Sequence, residues 1–531
     1  MNPARRIFTF FTLSILIAVI AGLAENASAS DPFQGSLQQA LVLAGGESTN
    51  PREYDPATTH GSGDKLVYSG LVSFDPYLNL TPDLAESWDT SPDGVAYTFH
   101  LRENAKFHDG RAVTAQDVIY SWERALSPAL GSDTALTYLG DIMGAREMFN
   151  GETEHVSGLQ ALDNHTLQVT IDAPKPYFLL KLTYPTAFVV DQANVESGEE
   201  WFRSPNGTGP YKMTEWWRFE QITYEANPDF YLGKPSIPYV IVQLFSGVGI
   251  RLYEAGEIDI AGISYGSAER FLDPTEPLHN ELLTGVNLCT GYVVFDVTQR
   301  PFDDLKVRQA FSMAFDRQKY IDVVLSGRAL PAIGIFPPGL PGFNIGLNGL
   351  PYDPNRARQL LAESKYGNNL PPIIYTDAGI GSSIGADTAA LIQMWQQVLG
   401  VEIMVENLEP NFYYEKILAG QHGQIFGGGW CADYPDPENF ADVLFHSGSA
   451  QNSGGYSNPE LDRLLEAART EQDVTKRIEI YQHAEQIIVD DAPVLFTTHS
   501  LSYSLIKPYV KGYVFTPIDV PIERYMWLEG K

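Results

Sequence analysis

The chain has 531 residues, enough for two or three domains with substantial cores. Hydrophobic residues make up 44% and aromatics 12%, a globular composition that excludes a disordered chain. Acidic side chains number 66 against 35 basic ones, and the resulting net charge of -31 repels phosphate backbones and excludes nucleic acid as an ordinary partner.

Residues 1–29 have the form of an export signal. Arg5 and Arg6 precede an apolar run from Ile7 to Leu23, and Ala27-Ser28-Ala29 supplies a small-x-small cleavage pattern ahead of Ser30-Asp31. An uncleaved anchor is the alternative, since the run nearly matches a membrane span. Arg5-Arg6 with Phe8 also faintly resembles a twin-arginine signal, although the general export route fits better. No cysteine follows the run, so lipid attachment is not expected there. Export implies an oxidising compartment, where the two cysteines, Cys289 and Cys431, read as a disulfide rather than as two buried thiols.

Leu37 to Leu43 reads as the first strand, followed by irregular chain through Pro51 and Pro56 and a loop at His60-Gly61-Ser62-Gly63. Alternation at Tyr97, Phe99 and Leu101 predicts a strand, and Asp109-Gly110 a turn. Thr114 and Asp117 form a capping box for a helix with Val118, Trp122 and Leu126 on one side. Leu167, Val169 and Ile171 alternate again, and strands are expected at Gln221–Glu225 and Tyr239–Leu244. Between them, Gly207-Thr208-Gly209-Pro210-Tyr211 reads as a tight turn, with no Gly-Lys-Ser to make it a phosphate cradle. Beyond Cys289 the texture is more helical. Val307, Ala310, Phe311, Ala314 and Phe315 share one helix face, and Asp353-Pro354 and Asn458-Pro459 open further helices, with another over 477–489. Short strands at Ile373–Tyr375 and Glu402–Val405 alternate with them, as in an α/β lobe.

One stretch concentrates unusual chemistry: Gly427-Gly428-Gly429-Trp430-Cys431-Ala432-Asp433-Tyr434-Pro435-Asp436-Pro437. Glycines permit close approach, tryptophan gives a flat apolar wall, and an aspartate held against such a surface wants a cation. The stretch therefore suits a small ligand with a positive group. An ordinary Gly/Pro-rich loop, with Asp433 capping the next helix, explains the same residues.

Catalytic leads are few. Gly262-Ile263-Ser264-Tyr265-Gly266 matches a nucleophile elbow after a short strand at 258–261, but five-residue patterns this loose also arise as surface turns. The ten histidines are scattered, with no His-Glu-x-x-His or Cys-x-x-Cys, so no metal site is expected. Trp395 reads as core, and Phe412-Tyr413-Tyr414 as core or as a cleft wall.

Several ordered blocks are specific as a set. They are Leu84 to Trp88, Tyr97 to Leu101, Phe107 to Gly110, Thr114 to Trp122, Gly207 to Tyr211, Ala255 to Asp259, Pro301-Phe302 with Val307 to Ala310, Gly429 to Pro437, and Tyr456 to Glu460. Together they resemble the solute-binding proteins of peptide-type ABC importers, the oligopeptide- and dipeptide-binding class, over about residues 40–515. The resemblance implies a two-lobed α/β clamshell of the type II periplasmic-binding-protein class, with an extra α/β domain inserted near the N-terminus. Lobe I is expected at 31–65, 186–287 and 502–531, the extra domain at 66–185, and lobe II at 288–501. The implied function is capture of short peptides in the periplasm by a monomer that needs no cofactor and delivers them to a membrane permease with its ATPase subunits. A metal chelate, an opine or a sugar is the alternative ligand within the same role. The implied site pairs Asp433 with a peptide α-ammonium. Main-chain partners come from Gly429, Trp430 and Cys431 and, in lobe I, from His60, Gly61 and Ser62, and Tyr138 joins from the extra domain. Cys289 and Cys431 match the disulfide of such proteins. The chain departs from some members at Gly427 and Gly428, where an arginine precedes the Gly-Trp, and at His60, where an acid can stand.

Overall fold

The computed structural model describes residues 39–48, 50–61, 65–367, 369–379 and 384–531. The signal segment and Ser62 lie outside the described residues. The main sheet is built from β1 (Ala40–Gly45), β2 (Tyr211–Trp217), β3 (Gln221–Ala226), β4 (Tyr239–Leu244), β5 (Ile260–Gly262), β6 (Leu282–Phe295), β7 (Ala329–Pro331), β8 (Ile373–Ala378), β9 (Ile403–Leu408), β10 (Ile425–Cys431) and β11 (Val494–Ile506). Its order is β9-β8-β10-β6-β11-β5-β1-β4-β3-β2, with β7 beside β11.

Two long strands carry the sheet through the molecule. β6 and β11 pair antiparallel from Leu282–Leu505 to Val294–Val494, with the register broken between Val286 and Thr290. At one end β11 pairs with β5, which leads into β1 and β4. At the other, β6 pairs with β10 from Cys289 onward, and β10 leads into β8 and β9. Each half has its own core: Leu41, Tyr211 and Val240 in the first, Phe295, Phe311 and Trp395 in the second.

A smaller antiparallel sheet (Ala85–Thr90, Ala96–Leu101, Thr166–Thr170, Leu159–Asp163) packs with the helix Ala115–Leu126 around Phe99, Trp122 and Val169. The Thr114 N–H donates to the Asp117 carboxylate at 2.8 Å, as the capping box requires. The Gly207-to-Tyr211 block lies flat on the chain where this unit begins. Gly209 donates to the Val67 carbonyl at 2.7 Å, and a Cβ at Gly207 would stand 2.0 Å from that oxygen, so the glycines serve a close backbone approach.

The expected helices form, with one change. The helix started by Asp304 ends at Met313, because Asp316 caps a new helix at Arg317 by accepting from the Lys319 N–H. Phe315 is buried from the connecting turn rather than from the helix face. Trp395 is fully buried and donates to the Phe311 carbonyl, whereas Phe412 and Tyr414 are exposed on either side of buried Tyr413.

Cys289 and Cys431 are bonded. They join adjacent strands and close a separation of 142 residues. The Cys289→Ser/Cys431→Ser variant is expected to lose about 3–5 kcal/mol of stability, the range for a native cross-link spanning a long loop. Denaturant unfolding with and without reductant measures it, and only the native protein should respond to the reductant.

Candidate functional site

The geometry starts from the cross-strand pair Cys289–Cys431, whose Cα atoms are 4.0 Å apart. So narrow a pair in an antiparallel ladder exchanges no backbone hydrogen bonds, and its neighbours on either side do. The Ala432 N–H donates to the Leu288 carbonyl at 2.8 Å, in step with that alternation. Gly427, Gly429 and Cys431 therefore turn their N–H and C=O groups away from β6. On that side β8 reaches only as far as Ile425 and Phe426. Tyr413 takes the Gly427 carbonyl, donating to it at 2.6 Å, and no described strand pairs with the edge beyond, which can take another extended chain. Gly428 is required for packing, since a Cβ there would meet the Tyr292 ring at 2.6 Å.

Just past this edge stands Asp433. It does not cap the following helix, whose N-cap is Pro437 and whose first N–H, that of Glu438, goes to the Asp436 carboxylate at 2.9 Å. The organiser of Asp433 is Asn439, fully buried in the first turn of the helix Glu438–Phe445. Asn439 donates to Asp433 Oδ2 at 3.0 Å, and its own Oδ1 accepts from the Asp433 N–H at 2.9 Å and the Trp430 indole at 3.1 Å. Tyr138, from the small domain, donates to the same Oδ2 at 2.7 Å. Its ring stacks on Tyr184 with centroids 3.6 Å apart. Both donors fall on one oxygen, and Asp433 Oδ1 accepts no hydrogen bond from the described residues. Burial raises the Asp433 pKa above the ordinary carboxylate value, against the lowering effect of these donors and of Lys65 and His60 nearby.

A cavity of about 30 Å³ touches Asp433, Tyr184, Lys65 and Arg524, room for a water or two or a primary ammonium. It shares Lys65, Tyr68, Asp519 and Pro521 with a larger cavity of about 450 Å³, whose wall includes Gly61 and Thr59. Lys65 separates the two, its ammonium on the Asp519 carbonyl at 2.6 Å and on its carboxylate at 3.1 Å. His60 is exposed and pairs with Asp133 at 2.9 Å; this bond raises its pKa against the opposing effect of burial. The His60 main-chain N–H goes to Glu53, and the imidazole acts on Asp433 as a neighbouring charge.

Trp430, Asp433, Tyr138 and the Gly429–Cys431 edge are thus brought together, with Gly61 one cavity away. Asn439, Tyr184 and Lys65 also belong to this site and carry no motif in the sequence. Ser264 sits apart, in the relaxed conformation of a helix N-cap (φ -68, ψ 154), with its Oγ 3.3 Å from Ser267 Oγ. No histidine bonds it among the described residues, which also hold no cluster able to bind a metal ion.

A profile of the bacterial extracellular solute-binding proteins, family 5 (middle), matches residues 79–452. The chain belongs to that family. Among family 5 proteins, the periplasmic oligopeptide-binding protein OppA of Salmonella typhimurium is 30% identical over 531 residues, covering 94% of each chain. Two solved family 5 structures share the fold. The murein tripeptide binding protein MppA of Escherichia coli has a TM-score of 0.80 at 29% identity, with 92% of this chain and 98% of that one covered. The OppA of Haemophilus influenzae, in complex with RPPGFSPFR, has a TM-score of 0.79 at 27% identity, covering 92% and 99%. The two-lobed α/β architecture of family 5 is therefore the architecture of this chain, and these relatives are solute-binding proteins rather than enzymes.

Proposed function

We propose that this chain is the periplasmic solute-binding component of an ABC importer, that it captures short peptides between its lobes, and that it hands them to a membrane permease whose ATPase subunits hydrolyse ATP. One observation carries the reading: among the described residues, a part-buried carboxylate with an uncommitted oxygen stands at the end of an unpaired strand edge. An extended peptide meets both features, its main chain on Gly429 and Cys431 and its α-ammonium on Asp433. A sugar or an opine would leave the strand edge unused, so peptide is favoured over those ligands. Lobe I is assigned to 31–65, 186–287 and 502–531, the extra domain to 66–185, and lobe II to 288–501. Release of residues 1–29 delivers a monomer without cofactor or catalytic role. Capture is an open–closed equilibrium that ligand contacts on both lobes shift towards closure.

Native mass spectrometry of protein freshly purified from its own periplasm tests this. The expected adducts are peptides of a few residues with free amino termini. Adducts that are carbohydrate or metal chelate, with no peptide among them, would overturn it.

A further inference from the structure

The 450 Å³ cavity has a composition that an ammonium site at Asp433 does not call for. Its floor is apolar, with Leu43, Ile222 and Val242 from the sheet. Tyr54 and Phe202 form an aromatic wall, their rings stacked 5.5 Å apart and inclined by 11°. The rim is acidic: Glu53, Asp519 and Glu523 stand against one cation, Lys65, which Asp519 already holds. Glu53 uses only Oε2, in contacts of 3.3 Å with the Thr59 hydroxyl and the His60 N–H, and its Oε1 accepts nothing from the described residues.

Each class of side chain meets this chamber differently. An aliphatic one covers the floor and strips water from the acids for no return. An acidic one faces like charge. A long stem with a cationic head covers the apolar lining and brings its charge to the acids; the aromatic wall supplies packing only, since Arg203 already covers the Phe202 ring. The chamber shares the Lys65–Asp519 wall with the space beside Asp433, which places it next to a peptide anchored there. We propose that this chamber is a side-chain subsite for an arginine or lysine of the bound peptide, with Glu53 and Glu523 receiving the cationic head. The proposal rests on the peptide reading and names which peptides the site prefers.

The test is calorimetric titration of the mature protein with tripeptides of alanine carrying arginine, citrulline or glutamate at each position in turn. At one position arginine should bind at least about tenfold more tightly than citrulline, with glutamate weakest, the size expected of one partly desolvated charge pair. Glu53→Gln and Glu523→Gln should each bring the arginine-to-citrulline ratio at that position towards one, and added salt should shrink it in the native protein. Equal binding of arginine and citrulline at every position would overturn the subsite and leave peptide capture standing. So would a ratio that neither variant alters. Failure of every tripeptide to bind would remove both.

Discussion

Replacing Asp433 by alanine weakens the binding of a free-amine tripeptide by about 2–5 kcal/mol, a factor on the order of 30 to several thousand. The loss is large because Asp433 is the carboxylate that Tyr138 and Asn439 orient beside the strand edge. Asp519 and Asp83 line the same cavity, but Lys65 holds the first, and Tyr231 and Arg524 hold the second. An N-acetylated tripeptide brings no ammonium, so it binds weakly to the native protein and loses little more in the variant. Asp433→Asn is the companion: it keeps the shape and can still accept from Tyr138 and Asn439, yet turns a donor or a neutral oxygen towards the ammonium. Equal losses for free and acetylated peptides would sink the assignment. The same residue sets a pH dependence. Burial holds the free Asp433 pKa above its ordinary 3.8, and an ammonium partner favours the ionised form, so ligand binding expels a proton and affinity falls as pH drops through that raised value. Stability of the unliganded protein moves the other way. A raised folded pKa contributes stability that is complete below the unfolded value and is lost as pH rises through the folded one. Ligand titrations and urea midpoints over the same pH series should therefore diverge.

How far the sequence carries is visible at particular residues. Thr114 with Asp117, Asp353 and Asn458 announce their helices because capping is local chemistry, complete within a turn of chain. The cystine followed from export and from a count of two. The Gly427–Cys431 segment looked like a loop, since three consecutive glycines are poor strand formers. It is a strand because β6 pairs along it and Tyr292 fills the space that a side chain at Gly428 would need. Such a reason is visible only from the partner strand. Asp433 itself is legible from its neighbours in sequence, and Tyr138 through the family resemblance alone. Asn439, six residues on, and Tyr184 and Lys65, from two other regions of the chain, have no spacing that points to the rest. Phe315 marks the opposite limit: hydrophobic periodicity placed it correctly indoors and wrongly within the helix.

Lys181→Met is expected to destabilise the protein by about 3–5 kcal/mol, the cost of leaving buried charge without its partner. Lys181 is buried between two carboxylates. It lies 3.0 Å from Asp141 within the small domain and 3.3 Å from Glu438 at the start of the helix that carries Asn439. Burial works against ionisation of Asp141, yet Lys181 and Lys175 outweigh it and hold the pKa at about 2. Glu438 has less support: burial raises it to about 7, Lys181 opposes that and Asp442 adds to it. In the native protein, then, Glu438 contributes stability fully below its unfolded value of about 4.5 and loses it as pH rises through about 7. Without Lys181 the Glu438 pKa climbs further, so the penalty of the variant grows between pH 5 and pH 8, where Asp141 stays ionised and adds a constant share. Denaturant unfolding at both ends of that range reads it directly. The double variant Lys181→Met/Glu438→Gln should recover part of the loss, because the orphaned carboxylate is gone. If it recovers nothing, the pair is uncoupled. The contact between the small domain and the helix beside Asp433 would then rest on Tyr138, Tyr184 and Tyr434 packed in their shared apolar cluster.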